Sequence, residues 1–216
     1  MPILLGHRGA RATLQVPENT IASFDLSLKH GCDGFEFDVR QSSDGQAVIC
    51  HDPKSRRRTI SRTTRVELSE LPTLQEVLQR YGNRAFLDIE LKVAGLEEQT
   101  LAALRDSSAR GGYVISSFLP EVVAKLNALD PRAPLGIICG NHKQLSRWRE
   151  LPVRYLIVEK QLLQKKLVEA AHEAAREIFV WTVNRRSSIL RFASFGVDGI
   201  ISDDTALLAS TRVVSQ

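Results

Sequence analysis

The sequence predicts an α/β fold of the TIM (β/α)8 barrel class, with a short insertion and an extra hairpin strand after strand 2. Three observations carry this expectation. Short apolar runs alternate with amphipathic stretches from end to end, which implies parallel strands joined by right-handed crossovers. Eight such units fit within 216 residues, near the lower end of the range for that barrel. The first strand leads into "GHRGARA", which is not the GxGxxG fingerprint of an open nucleotide-binding sheet.

The strands are expected at 3–6, 34–39, 85–91, 113–116, 134–138, 154–158, 178–183 and 198–202. Each is a short apolar or alternating run. The first helix, "TIASFDLSLKH", starts behind Pro17 with Asn19 or Thr20 as cap. "TLQEVLQRYG" stops at Gly82. "LEEQTLAALRDSSAR", "PEVVAKLNAL", "KQLSRWRE", "QLLQKKLVEAAHEAA", "SSILRFASFG" and "TALLAS" supply the remaining helices. No linker or composition break divides the chain, so 1–216 reads as a single domain.

Two segments depart from the plain repeat. "QAVICHD" (46–52) is a ninth extended run behind "SSDG", and Asp44-Gly45 is a strong hairpin signal. Pairing of 38–41 with 46–49 brings His51 to the level of Glu36 and Asp38. The polar, basic stretch 53–72 reads as an insertion over the barrel mouth.

The bulk numbers exclude several classes. With 43% hydrophobic and 25% charged residues, the composition is that of an ordinary globular chain. A net charge of +4 suits an anionic substrate and is too weak to argue for nucleic acid. Cys32, Cys50 and Cys139 are odd in number and widely spaced, which disfavours a disulfide framework or a zinc–thiolate site. No signal peptide, membrane anchor or bilayer-spanning run is evident, so the expected location is cytoplasmic. The chain is expected as a monomer or homodimer.

The polar residues at strand ends carry the functional signal, because barrel chemistry sits at the C-terminal ends of the strands. Glu36 and Asp38 alternate with Phe35, Phe37 and Val39, so both carboxylates share one face. Glu90 and Lys92 share a face of the next strand, with Asp88 one step deeper. Converging carboxylates repel, and burying them unpaired costs several kcal/mol. A divalent cation resolves that conflict, and an all-oxygen ligand set suits Mg²⁺, Ca²⁺ or Mn²⁺. His7 and His51 can exchange protons near neutral pH, as phosphodiester cleavage requires. Arg8 and Lys92 can offset the remaining negative charge.

The segments "GHRGA", "PENT", "GFEFDVRQSSDGQAVICHD", "PTLQEVL", "LDIELK", "VISSF", "VWTVN" and "GVDGIISD" resemble the glycerophosphodiester phosphodiesterases. The likeness runs in order from about residue 4 to residue 208. It implies a TIM barrel that hydrolyses glycerophosphodiesters to an alcohol and glycerol 3-phosphate with a divalent metal. By motif, His7 and His51 are the acid/base pair, and Glu36, Asp38 and Glu90 are the metal ligands. Arg8 and Lys92 match phosphate-binding positions, Glu18 lies near the site, and Trp181 lines the mouth. The alternatives are a lysophospholipase D-type or other diester hydrolase, or a non-enzymatic anion- or RNA-binding barrel. The last would use residues 54–65 of the insertion, which hold Arg56, Arg57, Arg58, Arg62 and Arg65.

Overall fold

A computed structural model of the protein describes residues 1–107 and 109–212. Ser108, inside the helix expected at 96–110, and residues 213–216 lie outside them. The chain begins with β1 (Ile3–His7), α1 (Ile21–Lys29), β2 (Gly34–Gln41) and β3 (Ala47–Ile49). Two short strands, β4 (Lys54–Ser55) and β5 (Arg58–Thr59), precede α2 (Leu74–Tyr81). Then come β6 (Phe86–Leu91), α3 (Glu97–Ser107), β7 (Tyr113–Ser117), α4 (Pro120–Leu129), β8 (Leu135–Cys139) and α5 (His142–Leu145). The last units are β9 (Tyr155–Glu159), α6 (Lys165–Glu173), β10 (Glu177–Trp181), α7 (Arg186–Phe195), β11 (Gly199–Ser202) and α8 (Thr205–Ser210).

Eight strands pair in parallel in the order β1-β11-β10-β9-β8-β7-β6-β2, and β2 pairs with β1 to close the ring. This is the expected barrel. Strand alternation sorts the side chains. Phe35, Phe37 and Val39 of β2 and Leu87, Ile89 and Leu91 of β6 point outward and join Phe24, Leu78 and Tyr81 beneath the helices. Phe24 stacks on Phe35 with centroids 4.2 Å apart. Each such buried side chain contributes about 1.5–3 kcal/mol. Leu5, Val114, Ile138, Tyr155, Ile157, Phe179 and Ile201 fill the ring from inside. Where β2 crosses β6 closely, Gly34 is required: a Cβ there would sit 1.8 Å from the Phe86 carbonyl oxygen.

Two expectations are corrected. Val39, Arg40 and Gln41 pair with Ile49, Val48 and Ala47, a register one residue away from 38–41 against 46–49. The turn is the cause. The Ser42 amide donates to the Gln46 carbonyl at 3.0 Å, the Gln46 amide donates to Ser42 Oγ at 2.9 Å, and Gly45 takes a φ of +80°. The turn therefore occupies residues 42–46, and Cys50, not Ile49, donates its amide to the Asp38 carbonyl at 2.9 Å. His51 falls just past the paired segment. The run 143–150 is also not one helix. It is the single turn α5 followed by a 3-10 turn at Trp148–Glu150, which tucks the Trp148 ring into the core.

The insertion rests on the inner face of β3, where Ile60 and Leu68 pack on Val48 and the flank of Cys50. Two of its arginines work internally: Arg58 donates to the Glu67 carbonyl and Arg65 to the Leu68 carbonyl. Arg56 and Arg57 form the exposed turn between β4 and β5 at φ values of 42° and 70°.

Candidate active site

The site grows from the ends of three adjoining strands. β1 ends in His7, and the chain then turns sharply at Arg8 and Gly9. Gly9 takes a φ of +80°, and a Cβ there would lie 2.3 Å from Ser23 Oγ and 2.7 Å from the Ser23 backbone. The turn aims the Arg8 amide at Glu36 Oε2, 2.9 Å away. Parallel registry places Glu36 beside Asp88 and Asp38 beside Glu90. All four carboxylates point into the barrel and are buried.

Glu36, Asp38 and Glu90 each bring one oxygen to a common spot, those atoms lying within 4.8 Å of one another. Among the described residues Glu36 Oε1 is buried with no hydrogen-bond partner, and Asp38 Oδ1 and Glu90 Oε1 meet Lys92 alone. Lys92 Nζ approaches Glu90 Oε1 (2.6 Å) and Asp38 Oδ1 (3.3 Å), acting as a point charge. Burial and the charges of Asp38, Glu90 and Asp88 push Glu36 well above the usual carboxylate range. Burial and Asp38 likewise raise Glu90. For Asp38, burial is outweighed by Lys92, Asn19 and Arg8, which hold it low. Hard carboxylate oxygens in a buried, net-negative cluster, one of them unpartnered, fit a divalent cation. Glu36, Asp38 and Glu90 are the residues able to hold it.

The remaining expected residues fall as follows. His7, Arg8, Glu36, His51, Glu90, Lys92 and Trp181 line one cavity of about 130 Å³, together with Asp88, Phe118, Ile138, Ile157 and Ile201. His7 Nε2 is 3.8 Å from Glu36 Oε2. His51 Nδ1 bonds Asp52 Oδ1 at 2.8 Å, and Arg40 Nε donates to the His51 carbonyl at 2.7 Å. The Trp181 ring meets Phe118 edge-on and donates its indole N–H to the Ile157 carbonyl at 3.2 Å. Glu18 does not line the cavity. Its two oxygens are taken by Arg8 Nη1 (2.8 Å) and Arg11 Nε (2.6 Å), so it reaches the site only by holding Arg8.

The profile of the "Glycerophosphoryl diester phosphodiesterase family" matches residues 7–207. The chain belongs to that family. A glycerophosphodiester phosphodiesterase of Caldanaerobacter subterraneus subsp. tengcongensis is 29% identical, over 95% of this chain and 96% of its own. The solved structure of a glycerophosphodiester phosphodiesterase from Thermotoga maritima is 27% identical, with a TM-score of 0.82 over 98% of this chain and 99% of that one. An Oleispira antarctica phosphodiesterase, solved with the product sn-glycerol-3-phosphate, is 28% identical, with a TM-score of 0.81 over 98% of this chain and 96% of that one.

Within this family frame, sequence reasoning missed three supporting residues. Asp203 Oδ1 accepts from His7 Nδ1 at 2.7 Å and from Arg11 Nη1 at 3.1 Å, while Asn184 Nδ2 donates to Asp203 Oδ2 at 2.6 Å. Burial opposes ionisation of Asp203, but these donors outweigh it and hold the carboxyl well below its usual range. Asn19, expected as a possible helix cap, instead donates to Asp38 Oδ2 at 2.8 Å from a left-handed backbone with φ of 56°. Thr20 is the cap, its Oγ1 accepting the Ser23 amide. The one available signal was that Asn184 and Asp203 both follow strand ends. Nothing local tied either to His7.

Proposed function

We propose that the protein hydrolyses glycerophosphodiesters to an alcohol and glycerol 3-phosphate. Family membership makes it a phosphoric diester hydrolase, and the product held by the Oleispira antarctica relative supports this choice of substrate. The observation that carries the reading is the cluster of three buried carboxylates, Glu36, Asp38 and Glu90, beside a cavity that Glu36 and Glu90 line together with His7 and His51.

A divalent cation, Mg²⁺, Ca²⁺ or Mn²⁺, held by Glu36, Asp38 and Glu90 would polarise the phosphoryl oxygens. The rest is work for the side chains. Arg8 and Lys92 draw the phosphate in and offset its charge. His7 donates through Nδ1 to Asp203, which leaves Nε2 free on the cavity side. His51 is oriented in the same way by Asp52. One imidazole takes the proton of the attacking oxygen as it bonds to phosphorus. The other gives a proton to the alcohol oxygen as its bond to phosphorus breaks. Phe118 and Trp181 cover the reacting group on the apolar side.

The test is a metal-by-substrate grid measuring glycerol 3-phosphate release from glycerophosphocholine and its acylated form. Chelation should abolish release and Mg²⁺, Ca²⁺ or Mn²⁺ should restore it. Turnover undiminished in chelator would defeat the assignment of the carboxylates. Preferential turnover of the acylated form would move the substrate to lysophospholipids.

A further inference from the structure

One buried carboxylate has no part in the scheme above. Asp88 is 1% exposed and points into the barrel from β6. Its Oδ1 accepts from Ser116 Oγ at 2.6 Å. Its Oδ2 is buried and has no partner among the described residues. Buried acceptors are almost always satisfied, and leaving one bare costs the full desolvation penalty. Asp88 lines the cavity, so a bound ligand can supply the missing donor.

The cation site is not the natural claimant. The oxygens that converge come from Glu36, Asp38 and Glu90, and Asp88 is not among them. Asp88 lies two residues below Glu90, which is about 6.6 Å deeper along the strand. From phosphorus to its far hydroxyl oxygen, an extended glycerol 3-phosphate spans five bonds, about 6 Å at roughly 1.25 Å of advance per bond. Ile138, Ile157 and Ile201 line the same cavity as Asp88 and give it an apolar surface, which suits the carbon side of a short polyol.

We propose that Asp88 recognises the terminal hydroxyl of the glycerol unit, its free carboxylate oxygen accepting the hydroxyl proton in a hydrogen bond. This rests on the phosphodiesterase reading and adds to it the residue that selects glycerol over a plain alkyl group. A site built to bond a hydroxyl rejects the analogue that lacks it, because its own polar group is then left bare.

The test compares glycerophosphocholine with the phosphocholine diester of propane-1,2-diol, which keeps the 2-hydroxyl and lacks the terminal one. The wild-type protein should prefer the glycerol substrate by about tenfold to a hundredfold in kcat/KM, the cost of leaving one buried acceptor bare. Asp88→Ala should collapse that ratio to within about threefold of unity, and Asp88→Asn, which keeps an acceptor oxygen, should hold it well above that. A wild-type ratio near one overturns the proposal without any variant having to fold. So does an Asp88→Ala protein that keeps the wild-type ratio. Calorimetric titration with Mg²⁺ gives a separate readout: weaker cation binding in Asp88→Ala with an unchanged ratio would assign Asp88 to the metal site instead. If the wild-type protein turns over neither diester with any of the three cations, the parent reading fails and this one falls with it.

Discussion

The two sides of the barrel mouth are built from opposite chemistry. On β1, β2 and β6 the inward positions are His7, Glu36, Asp38 and Glu90, with Asp88 one inward step below Glu90. Across the ring, β8, β9, β10 and β11 offer Ile138, Ile157, Trp181 and Ile201. The charged side is held by long-range polar partners, among them Asp203, Asn19, Arg8 and Lys92. The apolar side needs only packing. The difference teaches that the reactive half depends on a few exact donors and acceptors, whereas the opposing half tolerates change and sets shape and local dielectric. The same contrast separates the two histidines. The side chain of Asp203, which holds His7, is 17% exposed, whereas that of Asp52, which holds His51, is 74% exposed.

The comparison can be broken most directly at the charged side. His7→Ala and His51→Ala should each lower kcat by about 10²–10⁴, the usual worth of a positioned acid or base, with thermal melting close to wild type. Two folded variants that retain full turnover would remove the histidines from the chemistry. One step out, Asp203→Asn should cost about tenfold to a hundredfold in kcat, as supporting partners of site residues do. Asp52→Asn, at the exposed histidine, should cost less. Equal losses would show that burial does not separate the two pairs.

On the apolar side, Trp181→Ala should raise KM about fivefold and leave kcat nearly alone, a loss of about 1 kcal/mol of contact. A larger fall in kcat than rise in KM would mean that this wall also shapes the transition state.

The smallest effect is on stability. Burial, only partly offset by the Ser116 hydrogen bond and aided by the charges of Glu90 and Asp38, pushes the Asp88 carboxyl up to about 7. Glu36 and Glu90 move in the same direction. Between roughly pH 4 and 7 the native state therefore binds more protons than the unfolded chain. The stability these groups contribute is present at low pH and lost as pH rises through about 7. With chelator present, Tm should drop by a few degrees from pH 6 to pH 8. Saturating Mg²⁺ should flatten that slope, because a cation replaces the protons. Asp203, held low, works in the opposite sense, and its contribution disappears only as the pH falls below about 4.

Much of this arrangement was legible in the chain. Alternation in "GFEFDV" and "LDIEL" identified strands and also told which side chains share a face, because a strand repeats every two residues. The barrel class, Glu36, Asp38, Glu90 and the cavity positions of His7 and His51 followed from that rule and from motif order. The hairpin register was read one residue out. The side chain of Ser42 entered the turn's hydrogen bonding there, and turn geometry outranks the pattern of the flanking strands.

The sequence by itself determined the local periods, and with them the order of the strands and the chemistry of each strand end. Only the closed ring decided which ends meet. Pairing of β1 with β11 sets Asp203 against His7 across 196 residues of chain, and the turn after β1 sends Asn19 back to Asp38. Such contacts carry no local signature. They exist because closing the sheet leaves buried donors and acceptors that must satisfy one another wherever the chain brings them.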